Sequence, residues 1–296
     1  MQSSKTRSHW VSVVCLLAAC ACSAAPEEEV GQDSQRFSTT PGEPNHEDVT
    51  RAGLSFLRPE ILAAVTAANV ATDVEFALVN ANHFDDCNFS GGSKVVASSE
   101  AAAVNALQPG LDLTAQAVAI VNFGRALHAV QDFYAHSNWI ELEGSTLLDR
   151  SLSAFPVLVP YSTVPSSGFV LIQGKPPRSV SVTRDRDAAY PTNAVVTFRS
   201  KRSTALGLIS GTVDYEPGND CPASVAMTHS ELNKDKSTNA GREAQHLAAK
   251  NLATLQTRHE WCRLAALVQD TWGDAGTATL SAWIDPAAVP PDCDVD

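Results

Sequence analysis

The segment Ala126-Leu127-His128-Ala129-Val130-Gln131-Asp132-Phe133-Tyr134-Ala135-His136-Ser137-Asn138-Trp139 closes the most regular helix-like run of the sequence. That run begins at Thr114 and carries apolar residues at helical spacing, with Ala throughout. Within it His128, Asp132 and His136 are spaced i, i+4, i+8. At 3.6 residues per turn they fall within about 80° of one another, on one helical face. Two imidazoles flanking a carboxylate can present three ligand atoms to one metal ion, or to two ions sharing the Asp. Leu127, Val130 and Phe133 are expected to pack inward. The same spacing also suits a solvated polar stripe or hydrogen-bonded core histidines.

Working outward, Pro59 opens a helix-like stretch from Glu60 to Phe76, with proline tolerated in the first turn. A turn-rich segment from Asn80 to Gly92 holds His83-Phe84-Asp85-Asp86-Cys87. Ser98 to Leu107 reads as a short helix closed by Pro109-Gly110. Beyond Ser151 the texture changes: residues 169–172, 180–183 and 194–198 are short β-branched runs between Pro- and Gly-rich turns. Two or three antiparallel strands are expected there, inserted at about 151–214 into a helical domain. A polar stretch, Thr228 to Asp235, precedes another helix from Arg242 to about Thr271, and a short one near Ala278 to Trp283. The fold class is therefore mainly α, a multi-helix domain with a small antiparallel β insertion.

Residues 1–25 read as a targeting segment. Lys5 and Arg7 form a basic start, and Val11 to Ala19 is an apolar run too short to span a bilayer. It ends in Leu17-Ala18-Ala19-Cys20, which resembles a bacterial lipobox with Cys20 as the lipidated residue; the alternative is an ordinary signal peptide cut near Ala24 or Ala25. The expected location is the cell envelope or outer membrane, held by the lipid anchor, with secretion as the alternative. Residues 26–45 read as an acidic flexible tether, poor in apolar side chains, and 46–296 as the folded domain. The formal net charge of −12 lacks the basic footprint of nonspecific nucleic-acid binding, and no sequence-specific nucleic-acid binding is expected. Bound metal ions would reverse the local field, so a nuclease is not excluded.

Cys87, Cys221, Cys262 and Cys293 lie in the folded domain. In an exported chain four cysteines suggest two disulfides, with three connectivities. Cys87–Cys221 with Cys262–Cys293 is favoured, and no two of the four are close enough in sequence for a zinc-finger pair.

Taken in order, His46-Glu47-Asp48-Val49-Thr50, Asn69-Val70-Ala71-Thr72-Asp73, His83-Phe84-Asp85, Gly124 through Trp139 and Thr228 to Asp235 resemble the heterokaryon-incompatibility protein C type of fungi and its bacterial relatives. They also look like the N-terminal region of some von Willebrand factor A domain-containing proteins. More distantly, the chain is similar to the zinc-dependent phospholipase C and P1 nuclease superfamily. That resemblance implies a mostly helical fold around a cluster of one to three Zn2+ ions. It implies His46 as a first ligand, Asp73 and His83 in a second region, His128, Asp132 and His136 from the central helix, and His246 from the late helix. In those enzymes a bridging Glu follows the late His by one turn; here that position is Lys250, with Glu243 one turn before His246 as a substitute. Their N-terminal Trp ligand has no counterpart beside His46, and the second central His follows the Asp at a shorter spacing here.

The implied chemistry is phosphodiester hydrolysis of the phospholipase C type, with water activated by the His/Asp cluster and oriented or deprotonated by Asp73. A phospholipid or another phosphodiester is the expected substrate. The alternative is a non-catalytic, metal-stabilised recognition or toxin-like protein, with the 151–214 insertion as a protein-binding surface.

Overall fold

The computed structural model describes residues 46–143, 169–171, 181–185, 195–199, 204–213, 221, 227–235 and 243–293. The leader, Cys20, the tether and most of the 151–214 insertion lie outside them. Among the described residues the elements run α1 (His46–Gly53), α2 (Pro59–Glu75), α3 (Asn80–His83), α4 (Phe89–Ala106), α5 (Leu113–His136), α6 (Trp139–Glu143), β1 (Phe169–Leu171), β2 (Ser181–Asp185), β3 (Val195–Arg199), β4 (Thr204–Leu208), α7 (His229–Leu232) and α8 (Glu243–Ser281). The domain is mainly helical.

Local chemistry sets several of these boundaries. Pro59 sits in the first turn of α2, where its missing N–H has no helical partner to lose. Asp112 caps α5 by accepting hydrogen bonds from the Thr114 and Ala115 N–H groups. Thr228 and Glu231 form a reciprocal capping box on α7. Helix α4 begins at Phe89, well before the expected Ser98, because Asn88 caps it and accepts the Gly91 N–H. The glycines there are a packing requirement: a Cβ at Gly92 would lie 2.4 Å from the Phe84 ring. The two late helices form one run broken at Gly273, whose φ of 60° suits glycine.

Helix α5 is central, with α2, α4 and α8 packed around it. Its N-terminal half enters an apolar cluster with Leu54, Leu57, Val65, Leu107, Trp261, Leu264 and Trp283. A second apolar cluster surrounds its C-terminal half through Phe84, Phe89, Val130, Phe133, Leu208 and Ala249. Both expected disulfides are present, Cys87–Cys221 and Cys262–Cys293.

The sheet has the order β1-β4-β3-β2. β2–β3 and β3–β4 are antiparallel as expected, but β1 pairs with β4 in parallel. Alternating side chains reveal a strand without revealing which strand lies beside it, and here β1 joins the far edge instead of its sequence neighbour. The exit of β4 is clasped to the end of α5. Asn138 accepts the Ile209 N–H at 2.8 Å and donates to the Gly207 carbonyl at 3.0 Å, while the Gly211 N–H donates to the His136 carbonyl at 2.9 Å. No described helix is long and apolar enough to cross a membrane.

Candidate metal centre

Asp132 occupies the middle of a buried His/Asp cluster. Its Oδ2 lies 2.7 Å from His83 Nδ1 and 3.0 Å from His128 Nε2; its Oδ1 lies 3.0 Å from His46 Nε2 and 3.9 Å from His136 Nε2. The helical spacing thus places His128, Asp132 and His136 on one face, as the sequence predicted. His46 opens α1 and stacks on His128, with ring centroids 4.2 Å apart. Asp73, in the last turn of α2, reaches to 3.7 Å from His128 Nε2.

Three imidazoles have their outward nitrogen committed. His46 Nδ1 is 2.7 Å from Gln131 Oε1, His83 Nε2 is 3.2 Å from the Phe76 carbonyl, and His128 Nδ1 is 3.3 Å from Asn69 Oδ1. Each of those oxygens can only accept, so each outward nitrogen carries the hydrogen. The remaining nitrogen of each ring is aimed inward at the Asp132 carboxylate, and an outward hydrogen held by an acceptor is the second-sphere arrangement that orients metal-binding histidines. Gln131 is itself fixed by donating to Thr50 and Thr257. The inward nitrogens of His83 and His128 are 3.1 Å apart, and both face Asp132 Oδ2.

The donor set fits a cation on a second ground. Asp132 Oδ1, Asp85 Oδ2, both nitrogens of His136 and both carboxylate oxygens of Asp235 are buried without a hydrogen-bond partner, a costly state for polar groups unless an ion satisfies them. Three groups of three are close enough to share an ion among the described residues, two of them being His46, Asp73 and His128, and His83, His128 and Asp132. The third is Asp85, His136 and His229, of which His136 reaches to 3.9 Å from Asp132 Oδ1.

Electrostatics tie these groups together. Burial raises the Asp132 carboxyl, yet the surrounding His128, His136 and His46 hold it well below the usual range. Burial pulls His46 and His136 down, but the neighbouring carboxylates, Asp132 foremost, more than offset this and push them up to about 9 and about 10. Burial keeps His128 low.

His246 is buried at the start of α8, and its Nδ1 is 2.6 Å from the Lys234 carbonyl. It joins none of the three groups found among the described residues. Glu243 is exposed at the first turn of that helix. Asp85, His229 and Asp235 all lie against His136, although no role for them follows from the sequence. Their signal was present in two short polar stretches, His83 to Cys87 and Thr228 to Asp235, but nothing in the spacing says that these loops meet. They meet at residues 210–213. The Asp86 N–H donates to the Gly211 carbonyl, the Cys87 N–H donates to Ser210 Oγ, and the His229 N–H donates to the Thr212 carbonyl.

A family model described as the VWA7 N-terminal domain matches residues 50–154. It covers Asp73, His83, Asp85, His128, Asp132 and His136, and stops short of His46, His229 and Asp235. No curated protein and no solved structure matches the chain.

Proposed function

We propose that this chain is a metal-dependent phosphodiester hydrolase of the phospholipase C type, with a fold related to the zinc-dependent phospholipase C and P1 nuclease superfamily and to the heterokaryon-incompatibility C proteins. The observation that carries this reading is the convergence on Asp132 of inward-facing nitrogens from His46, His83 and His128. Imidazole and carboxylate donors suit zinc. His83, His128 and Asp132 would hold one ion, and His46 and Asp73 would extend the cluster. A bound divalent ion supplies Lewis acidity and makes water acidic near neutral pH.

The chain's own residues supply position and access. Asp73 is the most exposed ligand of this cluster, at 8%. A carboxylate at that rim is placed to orient an incoming water or take its proton. Val74, Leu78 and Val79, which follow Asp73 in the chain, are 70%, 58% and 39% exposed. Exposed apolar side chains next in the chain to this ligand suit a lipid phosphodiester. Two disulfides agree with an exported chain, and lipid anchoring at Cys20 is part of the same proposal.

A second reading has its own support. His46, His83, His128, Asp132 and His136 are all buried, and a structural metal site is closed by protein ligands. In that case the protein is a metal-stabilised recognition or toxin-like module. Metal content and hydrolysis of a chromogenic phosphocholine ester, measured together on the full chain and on His128→Ala, separate the two. Zinc with turnover, both lost in the variant, supports the hydrolase. Zinc without turnover on a panel of lipid and nucleic-acid esters supports the structural reading.

A further inference from the structure

We propose that His229 is a positioning residue that holds Asp85 against the ligand His136 and does not itself bind the metal. This rests on the metal-binding reading above, and it differs from what proximity alone suggests for His229.

The argument starts at Asn233, which follows α7. Its Oδ1 accepts the Asp235 N–H at 2.7 Å, which turns its Nδ2 toward His229 Nε2 at 3.2 Å. A carboxamide nitrogen only donates, so His229 Nε2 accepts and the ring hydrogen sits on Nδ1. That Nδ1–H donates to Asp85 Oδ1 at 3.0 Å. Neither nitrogen of His229 is then left to ligate: one carries a hydrogen and the other holds an amide.

His136 is the opposite case. Both its ring nitrogens are buried without a hydrogen-bond partner. Nδ1 faces Asp85 Oδ1 at 3.7 Å; Nε2 faces Asp235 Oδ1 at 3.4 Å and Asp132 Oδ1 at 3.9 Å. At 3.7 Å Asp85 is an ionic neighbour of Nδ1 and not yet its hydrogen-bond acceptor; a closer approach gives the carboxylate–histidine pairing by which outer residues orient a metal-binding histidine. The series Asn233, His229, Asp85, His136 therefore runs from a loop to the cluster.

The backbone around Asp85 is built for this task. Phe84, Asp86 and Cys87 all have left-handed φ values, of 55°, 57° and 58°. Such a run of non-glycine residues persists only where the surroundings impose it. Here Asp86 accepts hydrogen bonds from the Val213 N–H and from Asn80, and Cys87 is bonded to Cys221. Gly211 admits His229 closely, since a Cβ there would lie 2.5 Å from the His229 Cα. The segment leaving β4 thus fixes the donor and the acceptor of the His229–Asp85 bond together.

The test uses the full 15N-labelled chain. Long-range proton–nitrogen correlation spectra, with His229 assigned by comparison with His229→Asn, report which ring nitrogen carries hydrogen before and after zinc loading. The expected result is hydrogen on Nδ1 in both states. Zinc affinity, by competition with a chromophoric chelator, is expected to fall about 10–100-fold in His229→Ala and Asp85→Asn. His229→Asn, whose carboxamide can replace the Nδ1 donor, is expected to retain most of it. Loss of the Nδ1 hydrogen on zinc loading, or equal losses in His229→Asn and His229→Ala, overturns the proposal and leaves the hydrolase reading standing. If the full chain binds no zinc, the hydrolase reading falls and this proposal, which rests on metal binding, falls with it.

Discussion

Through Ala119, Ile120, Phe123 and Leu127, helix α5 packs against Phe56, Leu107, Trp261 and Trp283; through His128, Asp132 and His136, the same helix faces imidazoles and carboxylates. Both faces are buried. The apolar half is held by contacts without direction, so volume is what matters there. In the polar half His46, His83 and His128 each have an assigned hydrogen-bond partner, and the geometry of single hydrogens decides which atoms face inward. Two parts of one helix therefore answer to different chemistry, and substitutions should separate them.

The largest separation is expected at Asp132. Asp132→Ala removes the carboxylate shared by His46, His83 and His128, and metal binding should be lost altogether. It also leaves buried imidazoles without their counter-charge, at a cost of roughly 3–5 kcal/mol. Elemental mass spectrometry and denaturant unfolding read the two effects; retention of metal would break the comparison outright.

Trp261→Ala tests the other half. Trp261 is buried edge-on against Phe56, with ring centroids 5.1 Å apart. Its truncation should cost about 3–5 kcal/mol while the folded fraction keeps its full metal stoichiometry. A stoichiometry that falls with stability would mean that the halves are not separable.

Glu260 sharpens the comparison through pH. It is buried on α8, with Gln256 Nε2 donating to it at 2.5 Å, and burial pushes its carboxyl up from 4.5 to about 7, against the pull of Gln256 and His259. A raised acid stabilises the fold below its unfolded value, and this contribution is lost as pH rises through about 7. Arg263 Nε, 3.3 Å from Oε2, favours the carboxylate and opposes this effect. Unfolding of Glu260→Gln should show a correspondingly smaller loss of stability between pH 4.5 and 7.5; an unchanged pH profile would remove Glu260 as its source.

The smallest effect is expected at the junction of the halves. A Cβ at Gly124 would lie 2.8 Å from the Val65 carbonyl and 2.9 Å from the Asn69 nitrogen. Gly124→Ala should push α2 from α5, costing about 1–3 kcal/mol. Because Asn69 orients His128, zinc affinity should weaken with it. A thermal shift without any change in zinc affinity would show that the two halves tolerate independent movement.

Much of the apolar half was legible from periodicity. The helix from Thr114, the helix after Pro59 and the late helix follow from apolar spacing and proline placement, because these signals act within a few turns of chain. The early start of α4 was hidden, since Gly91 and Gly92 read as turn residues until Asn88 is seen beside the first and Phe84 beside the second. The parallel pairing of β1 with β4 was hidden for the same reason: it depends on a distant partner.

A mainly helical chain, four cysteines able to form two bridges, and one helical face carrying His128, Asp132 and His136 are all legible along the chain. Periodicity and composition suffice for these, because the information lies in local spacing. Only the tertiary structure decided that His46 and His83 converge on Asp132, that Asp85 and His229 meet across residues 210–213, and that His246 takes the Lys234 carbonyl. Those outcomes depend on which loops pack together and on which ring nitrogen carries a hydrogen, and no spacing along the chain encodes either.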